Sequence, residues 1–280
     1  LAPTSHQVRV ATLAEAVMAT VETARGDEAA LITTVIPDAE ALASSTFQVA
    51  VAGLVAASLA ALHEAGFPHP VRMWTFIPGI HAPMGDGLDR YRVFNAGRYD
   101  GFARWLGRTT PTAASLPAAS AVGHHCRGLT MCALGSRTQG VHVENPRQAP
   151  AFTYSPAYGP KPPCFSRGTV VSLPTGSRLL ISGTASIRGE DTVHAGSLSA
   201  QLEETLGNID LVTRNVPGPD RFAISGVETA RVYFPRVADR AWLASAVAAA
   251  LPAAAAIEFV HARVCRPELL VEIEATVAAS

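Results

Sequence analysis

Apolar and polar positions are ordered most clearly from Arg178 onward. RLLISGTASI (178–187), GVETARVYF (226–234), AIEFVHARVC (256–265) and ELLVEIEATV (268–277) are strand-length runs rich in β-branched and apolar residues. Ser199–Val212 and Arg240–Leu251 are the helical segments between them, and RGEDTVHAGS (188–197) is a polar, glycine-containing loop. The predicted order is β-α-β-α-β-β, which suits a sheet with helices packed on one face.

The first half carries a vaguer version of this order. ALITTVIP (30–37) predicts a strand, and the apolar run Phe47–Leu62 behind Ser44, Ser45 and Thr46 predicts a capped, buried helix. That run is shorter than the roughly 20 residues that span a bilayer, so no membrane segment is expected. VRMWTFIPGI (71–80) predicts a strand. Asn95–Arg108 predicts a helix from the spacing of Tyr99, Phe102, Trp105 and Leu106, and SAVGHHC and LTMCALG predict two short strands. Strand, helix, strand, helix, strand leaves open whether this half is a degenerate duplicate of the other, because residue-level similarity between them is slight.

Residues 144–167 interrupt both patterns with six prolines and four aromatic residues. Neither a helix nor a central strand tolerates that density of proline, and the aromatic content argues for docking rather than disorder, so a long functional loop is expected. The chain then divides into an N-terminal α/β half, 1–143, and a C-terminal half, 144–280, that begins with the loop.

At 280 residues, with 48% apolar and 16% charged residues, the chain has ample material for a buried core. A formal net charge of -1 and a pI near 6.8 give no broad basic footprint, so nucleic acid is not expected as a partner. A small anion is compatible, since a few arginines can build a local site. Cys126, Cys132, Cys164 and Cys265 are scattered without the close pairing of a zinc ribbon or a redox motif, which fits a reducing cytoplasm. No basic stretch opens the sequence, so no secretory signal is expected. His124, His125 and Cys126 are the densest ligand-like cluster, but neighbours on a strand point to opposite faces, so no metal site is expected. No P-loop or dinucleotide fingerprint occurs.

Three segments, LLISGTASIRG, AQLEETLGNI and ARVCRPELLVEIEA (262–275), resemble the YjgF/RidA family in the right order. FNAGRYDGF, ENPRQAPAFTY, YGPKPPCFSRG and ISGTASIRGEDTVHAG extend the likeness over residues 70–275 to the chorismatases, which join a RidA-like C-terminal part to an additional N-terminal part. The resemblance implies a fold of the α/β (α+β) class, with a RidA-like sheet in the C-terminal half and a related or degenerate α/β half before it. It also implies a cofactor-free, metal-free enzyme that takes pyruvate from chorismate, giving either a dihydroxycyclohexadienoate by hydrolysis or a hydroxybenzoate by an intramolecular route.

Such chemistry needs cations for two carboxylates and an acid that stays protonated near neutral pH, and burial raises a carboxyl into that range. The resemblance places the acid at Glu272, the first Glu of VEIE, and strand alternation puts Glu274 on the same face, where one carboxyl could hold the other's proton. It places a cysteine, Cys265, where the 3-hydroxybenzoate-forming branch has one and hydrolytic members have an apolar residue. A strand ending at Cys265 is expected to lie beside the strand of Glu272. Ala185 pulls toward hydrolysis, because the 3-hydroxybenzoate branch has a glycine nearby. Arg98, Arg147, Arg167 and Arg266 are the candidate carboxylate receptors. Tyr99, Tyr154 and Tyr158 are candidate ring walls and hydroxyl donors, and Gly183 with Thr184 form a candidate close approach of backbone to ligand. The product expected from this set is 3-hydroxybenzoate. RidA-like hydrolysis of imines and a non-catalytic ligand-binding module are the rival readings. A chain with both halves is expected to work as a monomer, with a trimer, as in small RidA-like proteins, the alternative.

Overall fold

The computed structural model describes residues 4–12, 16–85, 87–107, 110 and 115–280. The first half runs β1 (Thr4–Thr12), β2 (Ala16–Arg25), β3 (Ala29–Ile36), α1 (Ser44–Glu64), β4 (His69–Pro78), a small hairpin β5 (Pro83–Gly85) and β6 (Leu88–Asp89), α2 (Arg90–Trp105), β7 (Ala118–His124) and β8 (Leu129–Ser136). Its six-stranded sheet has the order β1-β2-β3-β8-β4-β7, antiparallel throughout except for the pair β4 and β7.

The second half runs β9 (Val141–Val143), β10 (Gly168–Leu173), β11 (Gly176–Ala185), a small hairpin β12 (Ile187–Arg188) and β13 (Asp191–Thr192), α3 (Leu198–Arg214), β14 (Val227–Phe234), α4 (Arg240–Ala250), β15 (Ala256–His261) and β16 (Glu272–Ala278). Its sheet has the order β9-β10-β11-β16-β14-β15, again antiparallel except for one pair, β14 and β15, at the edge. Strand for strand this is the order of the first sheet, so the topology is duplicated. The fold is mixed α/β.

Helix α1 lies on the first sheet with Phe47, Val51, Leu54, Val55, Leu59 and Leu62 buried. Two expectations about it need correction. Its cap is Ala43, without a side-chain bond, and Ser44 to Thr46 form its first turn. At 21 residues it is also long and apolar enough to cross a bilayer by length and composition. Its packing against the sheet is what accounts for its apolar character here. Helix α2 begins at Arg90, five residues earlier than the spacing suggests, because Asp89 accepts from the Arg92 backbone N–H at 2.8 Å and starts the helix there. It ends at Trp105, and the expected end at Arg108 lies outside the described residues. Gly97 and Gly101 bring α2 against α1. A Cβ on Gly97 would sit 2.5 Å from the Gln48 carbonyl, and one on Gly101 2.6 Å from Val55 Cβ.

The two sheets meet near β7 and β11. The Ala119 N–H donates to Ser182 Oγ at 2.8 Å, the Gly183 N–H to Ser120 Oγ at 2.9 Å and the Ala118 N–H to Thr169 Oγ1 at 2.9 Å. Hydroxyls from the second half thus satisfy backbone donors of β7, and Ser120 returns the favour to β11. Each half keeps its own apolar core, and a third, smaller cluster that includes Val122, Ala185, Tyr233 and Val264 bridges them.

Candidate active site

An open cleft of about 950 Å³ lies between the halves beside this junction. Ser120, Gly183 and Glu272 line it from the sheets, Tyr91, Arg92 and Arg98 from the start of α2, and Tyr154, Tyr158 and Phe165 from the proline-rich loop. The link from β15 to β16 adds Cys265 and Arg266.

Glu272 opens β16, a central strand between β14 and β11, and is only 4% exposed. Burial pushes its carboxyl up to about 8, the nearby Glu274 adds to the rise, and Arg72 and a hydrogen bond from Cys265 oppose it. Glu274 is two residues along the same face and is held quite differently. Its oxygens accept from Arg72 Nη2 at 2.7 Å, Trp74 Nε1 at 2.8 Å, Ser120 Oγ at 2.5 Å, Arg231 Nη1 at 3.0 Å and Tyr233 Oη at 3.1 Å. A carboxyl met by five donors, two of them guanidinium groups, is an anion. Two neighbouring carboxyls therefore have different surroundings: burial favours the protonated form of Glu272, while Glu274 is fixed by five donors.

Cys265 is half-buried beside Glu272, and desolvation, reinforced by that carboxyl, pushes its thiol up to about 12. It is a neutral S–H group, unsuited to act as a thiolate. The expected strand ending at Cys265 stops earlier, at His261, and β14 lies between β15 and β16. The thiol reaches the acid from the irregular link instead. Buried Gln201 of α3 fixes that link, donating to the Glu268 carbonyl at 2.9 Å and accepting from the Leu270 N–H at 2.7 Å.

Arg98 and Arg167 are 3% and 5% exposed and, with Arg266, have no carboxylate ion pair among the described residues. Arg98 lies over Phe94 and Phe165 and donates to Asn95 Oδ1 at 2.9 Å. Arg167 donates to the Ala149 carbonyl at 2.8 Å and Tyr154 Oη at 2.9 Å. The Nε of each is buried without a partner. Arg266 stacks on Tyr158 at 4.1 Å. With Arg92, four arginines line the cleft against Asp89 and Glu268, a balance that favours an anionic ligand.

Residues 8–135 match the family described as chorismatase FkbO/Hyg5-like, N-terminal. A chorismatase of Streptomyces hygroscopicus is 37% identical over 219 residues, covering 76% of this chain and 62% of that protein. A 3-hydroxybenzoate synthase of the same organism is 34% identical over 231 residues, covering 77% of this chain and 65% of its own length. The crystal structure of a chorismatase determined at 1.08 Å superposes with a TM-score of 0.81 at 32% identity, covering 92% of this chain and 77% of that one. This chain belongs to the chorismatase family. It spans a little under two thirds of the length of these curated chorismatase relatives.

In this chorismatase-family cleft, Glu272, Cys265, Arg98, Arg167, Arg266, Tyr154, Tyr158, Gly183 and Ala185 come together as the sequence suggests. Three other candidates do not line it. Arg147 is taken by the buried carboxylate of Glu204, which also binds Arg188 of the β12–β13 hairpin and so ties the start of the loop to α3. Tyr99 follows Arg98 on the helix, is turned away by its pitch, and packs on the first core under Lys161. Thr184 alternates away from Gly183 and Ala185, and its hydroxyl donates to the Ser182 carbonyl at 2.8 Å. The loop is braced by Ser155, which donates from N and Oγ to Glu190, and by Tyr158, which donates to Asp191 Oδ1 at 2.6 Å. Gly183 does serve a close approach, but of the acid itself: a Cβ there would lie 2.1 Å from Glu272 Oε1 and 3.0 Å from Ser120 Oγ. His124 and His125 are not one cluster, since His124 Nδ1 accepts from the Cys126 N–H while His125 faces His261 at 6.0 Å. Residues that sequence reasoning missed are Arg72, Tyr91, Asn95, Ser120 and Phe165. Of these, Tyr91 and Asn95 share the helical face of Arg98 by their i, i+4 and i+7 spacing, the one signal that could have found them.

Proposed function

We propose that this chain releases pyruvate from chorismate, with Glu272 as the general acid. The observation that carries the reading is a buried carboxyl pushed up to about 8 in a cleft whose guanidinium groups lack carboxylate partners. Glu272 gives its proton to the enol-pyruvyl methylene carbon, whose π electrons form the new C–H bond and leave an oxocarbenium ion. Arg98, Arg167 and Arg266 hold the two carboxylates, and Tyr154 and Tyr158 wall the ring. Loss of pyruvate follows capture of that ion.

The product read from Cys265 is 3-hydroxybenzoate. A half-buried neutral thiol beside the acid takes up space that a water molecule would need, and so favours capture from within the ring system. Ala185 supports the second reading, capture by water to give the dihydroxycyclohexadienoate, because it lines the cleft where the resemblance expects a glycine nearby in the 3-hydroxybenzoate-forming branch. A coupled pyruvate assay with chorismate, followed by chromatography of the ring product, tests both. Pyruvate with 3-hydroxybenzoate is expected, pyruvate with the diol would replace the first product by the second, and no pyruvate would end the assignment. Cys265→Ala is expected to raise the diol fraction while pyruvate release persists; an unchanged ring product would remove the thiol from the product decision.

Gly183→Ala is expected to lower kcat by about 10²-fold with the fold intact, because the new methyl must displace the Glu272 carboxyl, and misplacement of a reacting group by about 1 Å can cost that much. Steady-state pyruvate release with a thermal melt checks it. An unimpaired variant would show that the carboxyl position does not matter.

A further inference from the structure

Residues 262–271 join β15 to β16 without regular secondary structure, so no ladder of backbone bonds fixes Cys265 and the link is placed by separate ties. Gln201 holds its far side, at Glu268 and Leu270. The two ties nearest the thiol come from the first half. The Gly123 N–H, in β7, donates to the Arg263 carbonyl at 2.6 Å, and His81 Nε2 meets the Val264 carbonyl, one residue before Cys265, at 2.9 Å. A carbonyl only accepts, so Nε2 carries the hydrogen. Val264 is 1% exposed, and a carbonyl there that loses this donor is cut off from water. His81 is itself firmly held. Its turn closes with the Ala82 N–H on the Gly79 carbonyl at 2.7 Å, and the first turn of α2 braces it, the Arg90 N–H donating to the Ala82 carbonyl at 2.9 Å and the Tyr91 N–H to the Ile80 carbonyl at 3.0 Å. The same turn of α2 supplies Tyr91 and Arg92 to the cleft. His81 therefore ties one wall of the cleft, at the base of α2, to the segment that carries Cys265 and Arg266 in the other.

We propose that His81 is a positioning residue for product choice: its Nε2–H holds the Val264 carbonyl and, through it, keeps the Cys265 thiol where it excludes water from the acid. The inference rests on the reading of Cys265 as the group that steers capture, and names what keeps that group in place. A thiol on a loosened link leaves room for a water molecule beside Glu272. Loss of the His81 bond should therefore shift capture in the same direction as loss of the thiol.

The test compares the wild type with His81→Phe, which keeps a flat ring but has no donor, and with His81→Gln, whose amide nitrogen can take the place of Nε2. Iodoacetamide alkylation of Cys265, followed by peptide mass spectrometry with the exposed Cys126 as internal reference, reads the link without turnover. Loss of one neutral hydrogen bond is expected to speed alkylation of Cys265 by about fivefold in the Phe variant and to raise its ratio of diol to 3-hydroxybenzoate by a similar factor. The Gln variant is expected to keep the wild-type value of both. His81→Met, which also lacks the donor, replaces the Phe variant if a thermal melt shows that the latter does not fold. Equal alkylation in the wild type and the donor-less variant, or a Gln variant that behaves like the donor-less one, would overturn the proposal whatever the reaction proves to be. So would a product ratio that Cys265→Ala changes and the donor-less variant does not. Faster alkylation with a ring product that neither Cys265→Ala nor the donor-less variant alters would sink the product reading of Cys265 and leave His81 as the group that holds the thiol.

Discussion

Glu272→Gln is expected to reduce kcat for pyruvate release by about 10²–10⁴-fold, the usual worth of a general acid, with little change in volume or fold. The amide keeps the shape of the side chain but cannot give up a proton to carbon. The pH profile of the wild type provides an independent check. Glu272 is active while protonated and its carboxyl is pushed up to about 8, so the rate is expected to hold through neutral pH and to fall as pH rises through about 8. A carboxyl in its ordinary range would have lost activity far lower, near pH 4 to 5. The same group bears on stability. The folded chain keeps a proton that the unfolded chain releases above its ordinary carboxylate range, so its contribution is full below that range and is lost as pH rises toward and through about 8. A Gln variant that turns over like the wild type, or a wild-type profile flat through pH 9, would remove Glu272 from the reaction.

Much of the second half was legible because its strands carry long apolar runs and its helices are bounded by polar loops. The β1–β2 hairpin was not. Its inward positions at Val17, Ala19 and Val21 alternate correctly with Met18 and Glu22 outside, but the small alanines and the many threonines keep the hydrophobic signal low. Duplication of topology left almost no mark in the residues, since the two sheets conserve strand order and not side chains. Within the site, the groups that touch the cleft from the second half could be placed by segment likeness, but part of their support comes from the first half. Arg72 lies 202 positions from Glu274 and Ser120 lies 154 from it, and nothing local at either position announces a buried ionic contact. Arg147 misled for the converse reason. A cation in the right segment is as easily consumed by a buried carboxylate on a neighbouring helix, and only the position of Glu204 decides it.

Glu274→Gln is expected to destabilise the fold by about 3–5 kcal/mol, because Arg72, 3% exposed, would be left as a buried charge facing an amide. An amide also brings its own donors to a position where five donors already converge. Urea unfolding should therefore show a lower midpoint, and the double variant Arg72→Met with Glu274→Leu should recover part of the loss by removing both charges together. The second consequence is electrostatic, and its sign is fixed. Glu274 raises Glu272 and Arg72 lowers it, so deleting the anion while keeping the cation moves the Glu272 carboxyl downward. The alkaline fall in rate is then expected at lower pH than in the wild type, and the enzyme at pH 7 should have lost part of its protonated acid. A variant as stable as the wild type would contradict the buried ion pair. An alkaline limb that stays in place or moves upward would show that Glu272 keeps its proton without help from the fixed anion two residues away.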